Sequence, residues 1–284
     1  MKSKYAQFLF IIFAILIISA CSAQPEPQKT KQTQQTIVIG SHGSDVDIWR
    51  YIADSDQAKT ANVDIEVKEI NDGVALNQAL LDGEIDVNAF QSWAYFKEFN
   101  DLNHLKLAVL ATTYLEPMGL YSQNYKSLIA LPDRALIAIP NDVANTARAL
   151  RLLERAQLII LKPDFNTISG TLESIQSNPK SLQFKLVKGA QLPRVLSEVD
   201  LAAIGNTIAL ESGLNVITNA IFKEEVTDKA LENVNILAVR KDRLNDPKFQ
   251  KLSNLYHQPY VEDYIQKHFG GTKLGIQLDP ATLK

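Results

Sequence analysis

Alternation of short apolar strands with helix-like segments is the feature that most limits how this chain folds. Residues 36–40, Thr-Ile-Val-Ile-Gly, form a β-branched run that ends in glycine, as a buried strand does. Apolar residues at helical spacing follow Ser44, which we predict to cap a helix, and residues 63–70 then alternate apolar with charged side chains. A further helix and strand follow through residues 73–90. This β-α-β-α-β order predicts a largely parallel sheet covered by helices.

The second half of the chain continues the alternation. Strand patterns at residues 105–114, 135–140, 182–187, 200–205 and 234–240 are interleaved with helical patterns at residues 143–158, 191–199 and 207–214. A helical stretch over residues 246–269 precedes a tail that we predict to be irregular. Two α/β units fit the length of the chain at about 150 residues per domain.

The N-terminus has the pattern of a secretory signal. Lys2 and Lys4 precede an apolar run over residues 8–18, which is shorter than the ~20 residues needed to cross a bilayer as a helix. Small residues then lead to Cys21, the single cysteine of the chain. This arrangement resembles a bacterial lipobox, which implies a signal peptide over residues 1–20 and acylation of Cys21, palmitate included. The alternative is a lone thiol in an uncleaved anchor.

A polar segment separates Cys21 from the first strand. Residues 22–35 contain no large apolar side chain, so they are predicted to be a flexible tether between the lipid and a folded body. The chain has a formal net charge of −3 and no basic block, which argues against nucleic acid as a partner. With no cysteine beyond Cys21, the folded body has no thiol for a disulfide or a nucleophile.

The segment Ile-Pro-Asn-Asp-Val-Ala-Asn-Thr-Ala-Arg, residues 139–148, carries the clearest candidate for a ligand site. Asp142 or Asn141 is placed to cap the helix that follows, at the edge of a sheet where open α/β folds bind ligands. Asn145 and Arg148 share one face of that helix, and an arginine there is suited to gripping a carboxylate. The spacing of Arg148, Arg151 and Arg155 is equally typical of a solvated helix face, and spacing alone leaves both interpretations open.

Signatures of enzymes and metal sites are missing from the sequence. The four histidines are scattered, and there is no HExxH, GxSxG, P-loop or GxGxxG pattern. We therefore expect no cofactor, no metal and no enzymatic activity.

Five segments together resemble one known family. They are residues 77–91, 114–122, 139–161, 190–204 and 234–240, and their order and spacing are similar to those of the MetQ/NlpA family of substrate-binding lipoproteins. The resemblance covers residues 36–269. It implies an α/β, two-lobed periplasmic-binding-protein-like fold with a ligand cleft between the lobes. It also implies capture of methionine or a related small amino acid for an ABC permease and its ATPase.

The resemblance also implies roles for individual residues. Arg148 matches the family arginine that binds the ligand carboxylate, and Asn235 matches an asparagine that anchors the polar end of the amino acid. Phe90 and Tyr114 fall where the family places aromatic rings around an apolar side chain. A thioether suits such a slot, since sulfur–ring contacts are favourable. We add Asn145 to this set because it shares a helix face with Arg148.

Departures from the family pattern concentrate in the same segments. The family reads Phe-Gln-His-x-Pro-Tyr where this chain has Ser92 in place of the histidine, and Trp93 beside it is an addition. Gly205 and Ile208 stand where an asparagine and a tyrosine are common, so a polar anchor is missing unless Asn206 replaces it. One buried hydrogen bond is worth ~1–3 kcal/mol, enough to change the preferred ligand. The sequence therefore leaves the ligand's identity open.

The expected organisation follows from these points. The signal peptide over residues 1–20 is followed by the acylated Cys21 and a tether, which together cover residues 21–35. The first lobe is expected to consist of residues 36–115 plus about 222–284. The second lobe is expected to consist of about residues 116–221. The protein is expected in the bacterial cell envelope, anchored by its lipid and facing the periplasm or the cell surface. The alternative function is that of a surface lipoprotein whose binding-protein fold serves an interaction or envelope role.

Overall fold

The described part of the chain alternates strands and helices as the apolar spacing predicts. The computed structural model describes residues 36–225 and 231–283, so the predicted signal peptide, Cys21 and tether lie outside the described residues. The strands in this part are β1 (Ile37–Ser41), β2 (Ile65–Glu69), β3 (Val87–Ser92), β4 (Leu107–Thr112), β5 (Tyr114–Leu115), β6 (Met118–Tyr121), β7 (Leu136–Pro140), β8 (Ile160–Leu161), β9 (Ile175–Ser177), β10 (Gln183–Val187), β11 (Leu201–Gly205), β12 (Phe222–Lys223), β13 (Asn235–Arg240) and β14 (Leu274–Gly275). The α-helices are α1 (Ser44–Ala53), α2 (Asp56–Thr60), α3 (Gly73–Asp82), α4 (Trp93–Leu102), α5 (Val143–Arg155), α6 (Asn206–Glu211), α7 (Pro247–Tyr256) and α8 (Pro259–Phe269).

Two five-stranded sheets contain most of these strands. The first has the order β2-β1-β3-β13-β4, and β13 runs antiparallel to both of its neighbours while the other four strands share one direction. The second has the order β10-β7-β11-β6-β12, with β6 as the strand that runs against the others. Both sheets are thus mixed, with parallel pairs on one side and antiparallel pairs on the other, and the predicted α/β class is confirmed.

The chain crosses between the two sheets twice. It leaves the first sheet after β4, passes through the short strand β5 and enters the second sheet at β6, then returns from β12 to β13. Because β12 pairs with β6, Phe222–Lys223 belongs to the second sheet, close to residue 222, near which the first lobe is predicted to resume. The crossing at residues 116–117 is short, which places its side chains at the junction of the sheets.

Apolar side chains from the helices cover the sheets. The strands β1 and β3 pack through Ile37, Ile39 and Val87 against α1, α7 and α8, where Trp49 and Phe249 are fully buried. The second sheet has its own core of Leu, Ile and Ala side chains. The buried face of the helix α5 packs into this core. Each Leu or Ile buried in this way contributes about 1.5–3 kcal/mol, so packing supplies the stability of a body predicted to lack disulfides.

The start of α1 differs from the prediction that Ser44 caps it. Gly43 is the N-cap residue, with φ of 60°, and no side chain caps the helix. Glycine is favoured there because its φ lies in the left-handed region and because a Cβ would stand 2.0 Å from Glu211 Oε1. Ser44 is the first helical residue instead, and its hydroxyl contacts Thr207 Oγ1 at 3.4 Å.

The start of α5 agrees with the sequence. Asp142 is the N-cap, and its side chain accepts a hydrogen bond from the backbone N–H of Asn145. The arginine stripe on this helix is divided by burial: Arg151 and Arg155 are partly or fully exposed, whereas only 10% of the Arg148 side chain is accessible. The solvated-face interpretation therefore fails for Arg148.

Candidate functional site

A short segment between the sheets organises the candidate site. The strand β5 pairs with β14, with Leu274 opposite Leu115, so the C-terminal tail returns to the junction. The tail was predicted to be irregular, and this pairing corrects that prediction. Since the partners are about 160 residues apart, no local pattern in the tail indicates the contact. The pairing places Lys273 beside Tyr114 and Glu116.

Three of the predicted ligand residues line one small cavity. Phe90, Tyr114 and Asn235 form its walls together with Asp45, Ile48, Trp49, Ala89, Thr113 and Tyr256. The volume open to the centre of a water molecule is about 10 Å³. A cavity of that size has room for about one water.

Two polar groups at this cavity lack protein partners. The buried hydroxyl of Tyr256 has no hydrogen-bond partner within 3.5 Å among the described residues, with the Thr113 side chain as its polar neighbour in the cavity wall. The side-chain amide of Asn235, a residue only 5% exposed, likewise donates to and accepts from none of the described residues. Buried polar groups are nearly always hydrogen-bonded, so this pair indicates a place for water or for the polar end of a ligand.

Arg148 is held by an internal carboxylate. Its Nε lies 3.0 Å from Glu224 Oε1 and its Nη2 lies 2.6 Å from Glu224 Oε2, while Nη2 also donates to the carbonyl of Glu116 at 2.7 Å. Glu224 in turn accepts the backbone N–H of Met118. Burial acts to lower the pKa of Arg148, but the hydrogen bond and attraction to Glu224 together with the nearby Glu116 carboxylate outweigh burial and raise that pKa. The Nη1 edge makes no hydrogen bond to a described residue.

A second charged cluster surrounds Lys273, whose side chain is completely buried. Its Nζ lies 3.0 Å from Asp45 Oδ1 and 3.0 Å from Glu116 Oε2. The hydroxyl of Tyr114 donates to Asp45 at 2.6 Å, and the Lys273 ammonium lies 3.9 Å above the Tyr114 ring. Burial raises the pKa of Asp45, whereas Lys273 lowers the pKa of Glu116 against the effect of burial.

Asn206 joins this second cluster. Its Nδ2 donates to Glu116 Oε2 at 3.0 Å and to Thr272 Oγ1 at 3.2 Å. Its Oδ1 is buried without a partner in the described part of the chain. Asn206 and Arg148 therefore meet at Glu116, two residues beyond Tyr114.

The other predicted site residues lie in structural positions. Ser92 caps α4 by accepting the N–H of Tyr95, and Asn145 donates to the Asp142 carboxylate. Trp93 stacks on Phe96 and packs against the core around α3 and α4. None of the three lines the cavity at Phe90.

The two departures near α6 have different surroundings. A Cβ added at Gly205 would meet no atom within 4 Å, so this glycine leaves open space. Ile208 packs against the core of the second sheet.

Four charged residues at the junction were missed by the sequence reasoning: Asp45, Glu116, Glu224 and Lys273. Glu116 lay within a quoted motif, but nothing local marked it as buried. Asp45 lies among polar residues that are typical of a solvated helix start. Glu224 lies in a run of charged residues that is typical of an exposed loop. Their burial depends on contacts with distant segments.

Stability at alkaline pH follows from this site. Burial raises the pKa of Tyr114 and of Tyr256 above the ordinary value of 10.0, and the carboxylates around Lys273 raise its pKa above 10.5 despite burial. Groups with a raised folded-state pKa stabilise the fold below their unfolded pKa, and this contribution is lost as pH rises. We expect the free energy of unfolding, measured with urea, to fall steadily above pH 10. The fall should be shallower in Tyr256→Phe. A constant value up to pH 11 would contradict the burial of these groups.

The described residues contain neither a helix suited to crossing a bilayer nor a cluster suited to binding a metal. No helix among them is long and apolar enough for a membrane span. No group of three or more His, Cys, Asp or Glu side chains within residues 36–225 and 231–283 could hold a metal ion.

Comparison with known proteins assigns the family. A family model described as NlpA lipoprotein matches residues 37–276. A probable D-methionine-binding lipoprotein MetQ of Pasteurella multocida is 32% identical over 252 residues, covering 89% of this chain and 88% of the relative. These matches agree with the resemblance seen in the sequence.

Solved structures share the fold. A nutrient-binding protein from Burkholderia cenocepacia, solved bound to methionine, has a TM-score of 0.80 at 35% identity and covers 84% of this chain and 99% of its own. An ABC-transporter periplasmic substrate-binding protein from Coxiella burnetii has a TM-score of 0.79 at 34% identity, with coverages of 84% and 100%. The chain therefore belongs to the NlpA lipoprotein family and has the α/β fold of a periplasmic substrate-binding protein.

Proposed function

We propose that this protein is a lipid-anchored substrate-binding protein that captures methionine or a related small amino acid and delivers it to an ABC importer. The observation that carries the proposal is the cavity at Phe90 and Tyr114, where the Asn235 amide and the Tyr256 hydroxyl have no partner within the described residues. Aromatic walls with a few convergent polar groups are typical of small-molecule sites. Relatives named for methionine, and one solved with methionine bound, supply the ligand class.

The proposed contacts follow the geometry. Phe90 and Tyr114 enclose the apolar side chain, Asn235 binds the polar end, and Arg148 offers its Nη1 edge to the carboxylate. Asn206 presents its unpartnered Oδ1 from the side of the second sheet. Ser92 and Asn145 make capping contacts at the starts of α4 and α5, and Trp93 stacks on Phe96. Contact of these three residues with the ligand stays a prediction.

Entry of a ligand requires the two sheets to separate. Ligand sites usually enclose about 300–1,000 Å³, far more than the water-sized space at Phe90. The described residues form one compact unit. We propose two lobes, residues 36–115 with the return from about 224 onward and residues 116–223, which open at the two crossings. A ligand that touches both lobes favours the closed state, and that state is what an importer recognises.

A larger groove elsewhere is a weaker candidate. It encloses about 480 Å³ between α2 and α7 and is lined by residues such as Asp56, Lys251 and Leu255. Its wall is open to solvent, and the three buried polar atoms that lack partners in the described chain belong to none of the residues lining it.

Calorimetry on ligand-free protein tests the proposal. The full chain, solubilised in detergent, is unfolded and refolded to remove any bound molecule and then titrated with L- and D-methionine and a panel of small amino acids. Binding of methionine or a close analogue, with the ligand recovered intact, is the expected result and agrees with a non-enzymatic role. Failure to bind any amino acid would contradict it and favour a surface lipoprotein of the envelope that serves an interaction.

Gly205→Asn tests the space beside Asn206. The backbone at Gly205 has φ of −66°, which any residue adopts, and a Cβ there meets no atom within 4 Å. We expect the free energy of unfolding to change by no more than about 0.5 kcal/mol. The added amide is expected to tighten methionine binding by up to about tenfold, since a hydrogen bond contributes about 0.5–1.5 kcal/mol. Calorimetry that shows no gain or a loss of affinity would place Gly205 away from the ligand.

A further inference from the structure

Lys273 occupies a position where acceptors from three separate segments converge. Its Nζ lies 3.0 Å from Asp45 Oδ1 in α1, 3.0 Å from Glu116 Oε2 in the crossing segment, and 3.0 Å from Thr207 Oγ1 in α6. An ammonium has three N–H donors, and here all three are used. The cluster therefore already holds one ammonium when the sheets are together.

The cluster has more acceptors and more negative charge than Lys273 satisfies. Two carboxylates, Asp45 and Glu116, face a single ammonium, which leaves a surplus of one negative charge in a buried site. Asn206 Oδ1 adds a buried acceptor with no partner in the described residues. The orientation of this amide is fixed, because its Nδ2 must donate to Glu116 and Thr272. Buried charge and unpaired acceptors are costly, so the site is suited to a second cationic donor.

Lys273 makes more contacts with elements that pack on the first sheet than with elements beside the second sheet. Asp45 belongs to α1, and the rings of Tyr114 and Phe269 lie 3.9 and 5.5 Å from Nζ, so three partners belong to elements that pack on the first sheet. Thr207 is the one partner from α6, beside the second sheet. When the sheets separate, Lys273 is expected to stay with Asp45 and release Thr207, which exposes Glu116 and Asn206 to a ligand.

We propose that Lys273 is an internal ammonium that competes for Glu116 with the ammonium of the ligand and thereby sets the affinity for ammonium-bearing ligands. This inference rests on the proposed function and names one of its specificity-determining residues. The ligand ammonium takes Glu116 and Asn206 Oδ1 while Lys273 retains Asp45. Ligands that lack an ammonium do not meet this competition.

The test compares two ligands in three variants. Calorimetry measures L-methionine and N-acetyl-L-methionine, which has no ammonium, against the wild-type chain, Lys273→Met and Asp45→Asn/Lys273→Met. The double variant keeps the cluster's net charge at its original value, which protects folding if the single variant is unstable. Lys185→Met, which removes an exposed lysine paired with Glu198, is the matched control.

The quantity compared is the ratio of the affinity for methionine to the affinity for N-acetyl-methionine. We expect this ratio to be about tenfold higher in both Lys273 variants than in the wild type, and unchanged in Lys185→Met. An unchanged ratio, or a loss specific to methionine, overturns the inference while the proposed function stands. Absence of amino-acid binding in the wild type and in every variant overturns both.

A second measurement needs no variant. In wild-type protein with ¹⁵N-labelled lysine, the buried Lys273 ammonium is expected to give a protected NMR signal that shifts when methionine is added and stays in place with N-acetyl-methionine. No shift with bound methionine, or the same shift with both ligands, overturns the inference.

Discussion

Replacing Arg148 with methionine is expected to lower the free energy of unfolding by about 3–5 kcal/mol, because it leaves the buried Glu224 carboxylate without its partner. The two side chains are only 10% and 9% exposed, and their closest atoms are 2.6 Å apart. Affinity for methionine is expected to fall with the loss of the Nη1 edge. Urea unfolding and calorimetry measure the two effects separately.

The matched control is Arg148→Met/Glu224→Gln. Removing both charges eliminates the unpaired carboxylate, so most of the stability should return, while the loss of affinity should remain. A single variant that loses less than about 1 kcal/mol would contradict the buried ion pair. Affinity that recovers together with stability would show that Arg148 acts only through the fold.

Asn235→Ala is expected to lower the affinity for methionine while leaving the free energy of unfolding nearly unchanged. The amide has no hydrogen bond within the described residues, so its removal leaves no protein group unpaired and should change the free energy of unfolding by no more than about 1 kcal/mol. A hydrogen bond to a charged ligand group contributes about 1.5–3 kcal/mol, which corresponds to roughly a 10–100-fold loss of methionine affinity.

Asn206→Ala provides the comparison for that variant. Its Nδ2 donates to Glu116 and Thr272, so this change should reduce both stability and affinity. Calorimetry that finds unchanged methionine binding in Asn235→Ala would remove Asn235 from the ligand site.

The alternation of strands and helices predicted much of the fold because each element is encoded by its own local spacing. The strand β1 and the helix α5 appear where the apolar pattern predicts them, and Asp142 caps α5 as its position indicates. The helix α1 begins at Ser44 after an N-cap at Gly43, whose φ of 60° favours glycine, and the sequence pattern did not indicate this backbone conformation.

The candidate site was predictable only where several segments shared a family pattern. That resemblance grouped Phe90, Tyr114 and Asn235, and the structure brings all three to one cavity, although their contact with a ligand stays a prediction. Lys273 had no such signal, because its burial depends on the pairing of β14 with the distant β5. Glu224 was missed for the same reason, since Arg148 lies 76 residues before it.

A crystal structure of the protein, from crystals grown in the presence of methionine, tests the central claim most directly. We expect methionine between the two sheets, with its side chain against Phe90, its polar end on Asn235 and its carboxylate at Arg148. Methionine bound instead in the surface groove beside Asp56 and Lys251, with the cavity at Phe90 unchanged, would contradict it.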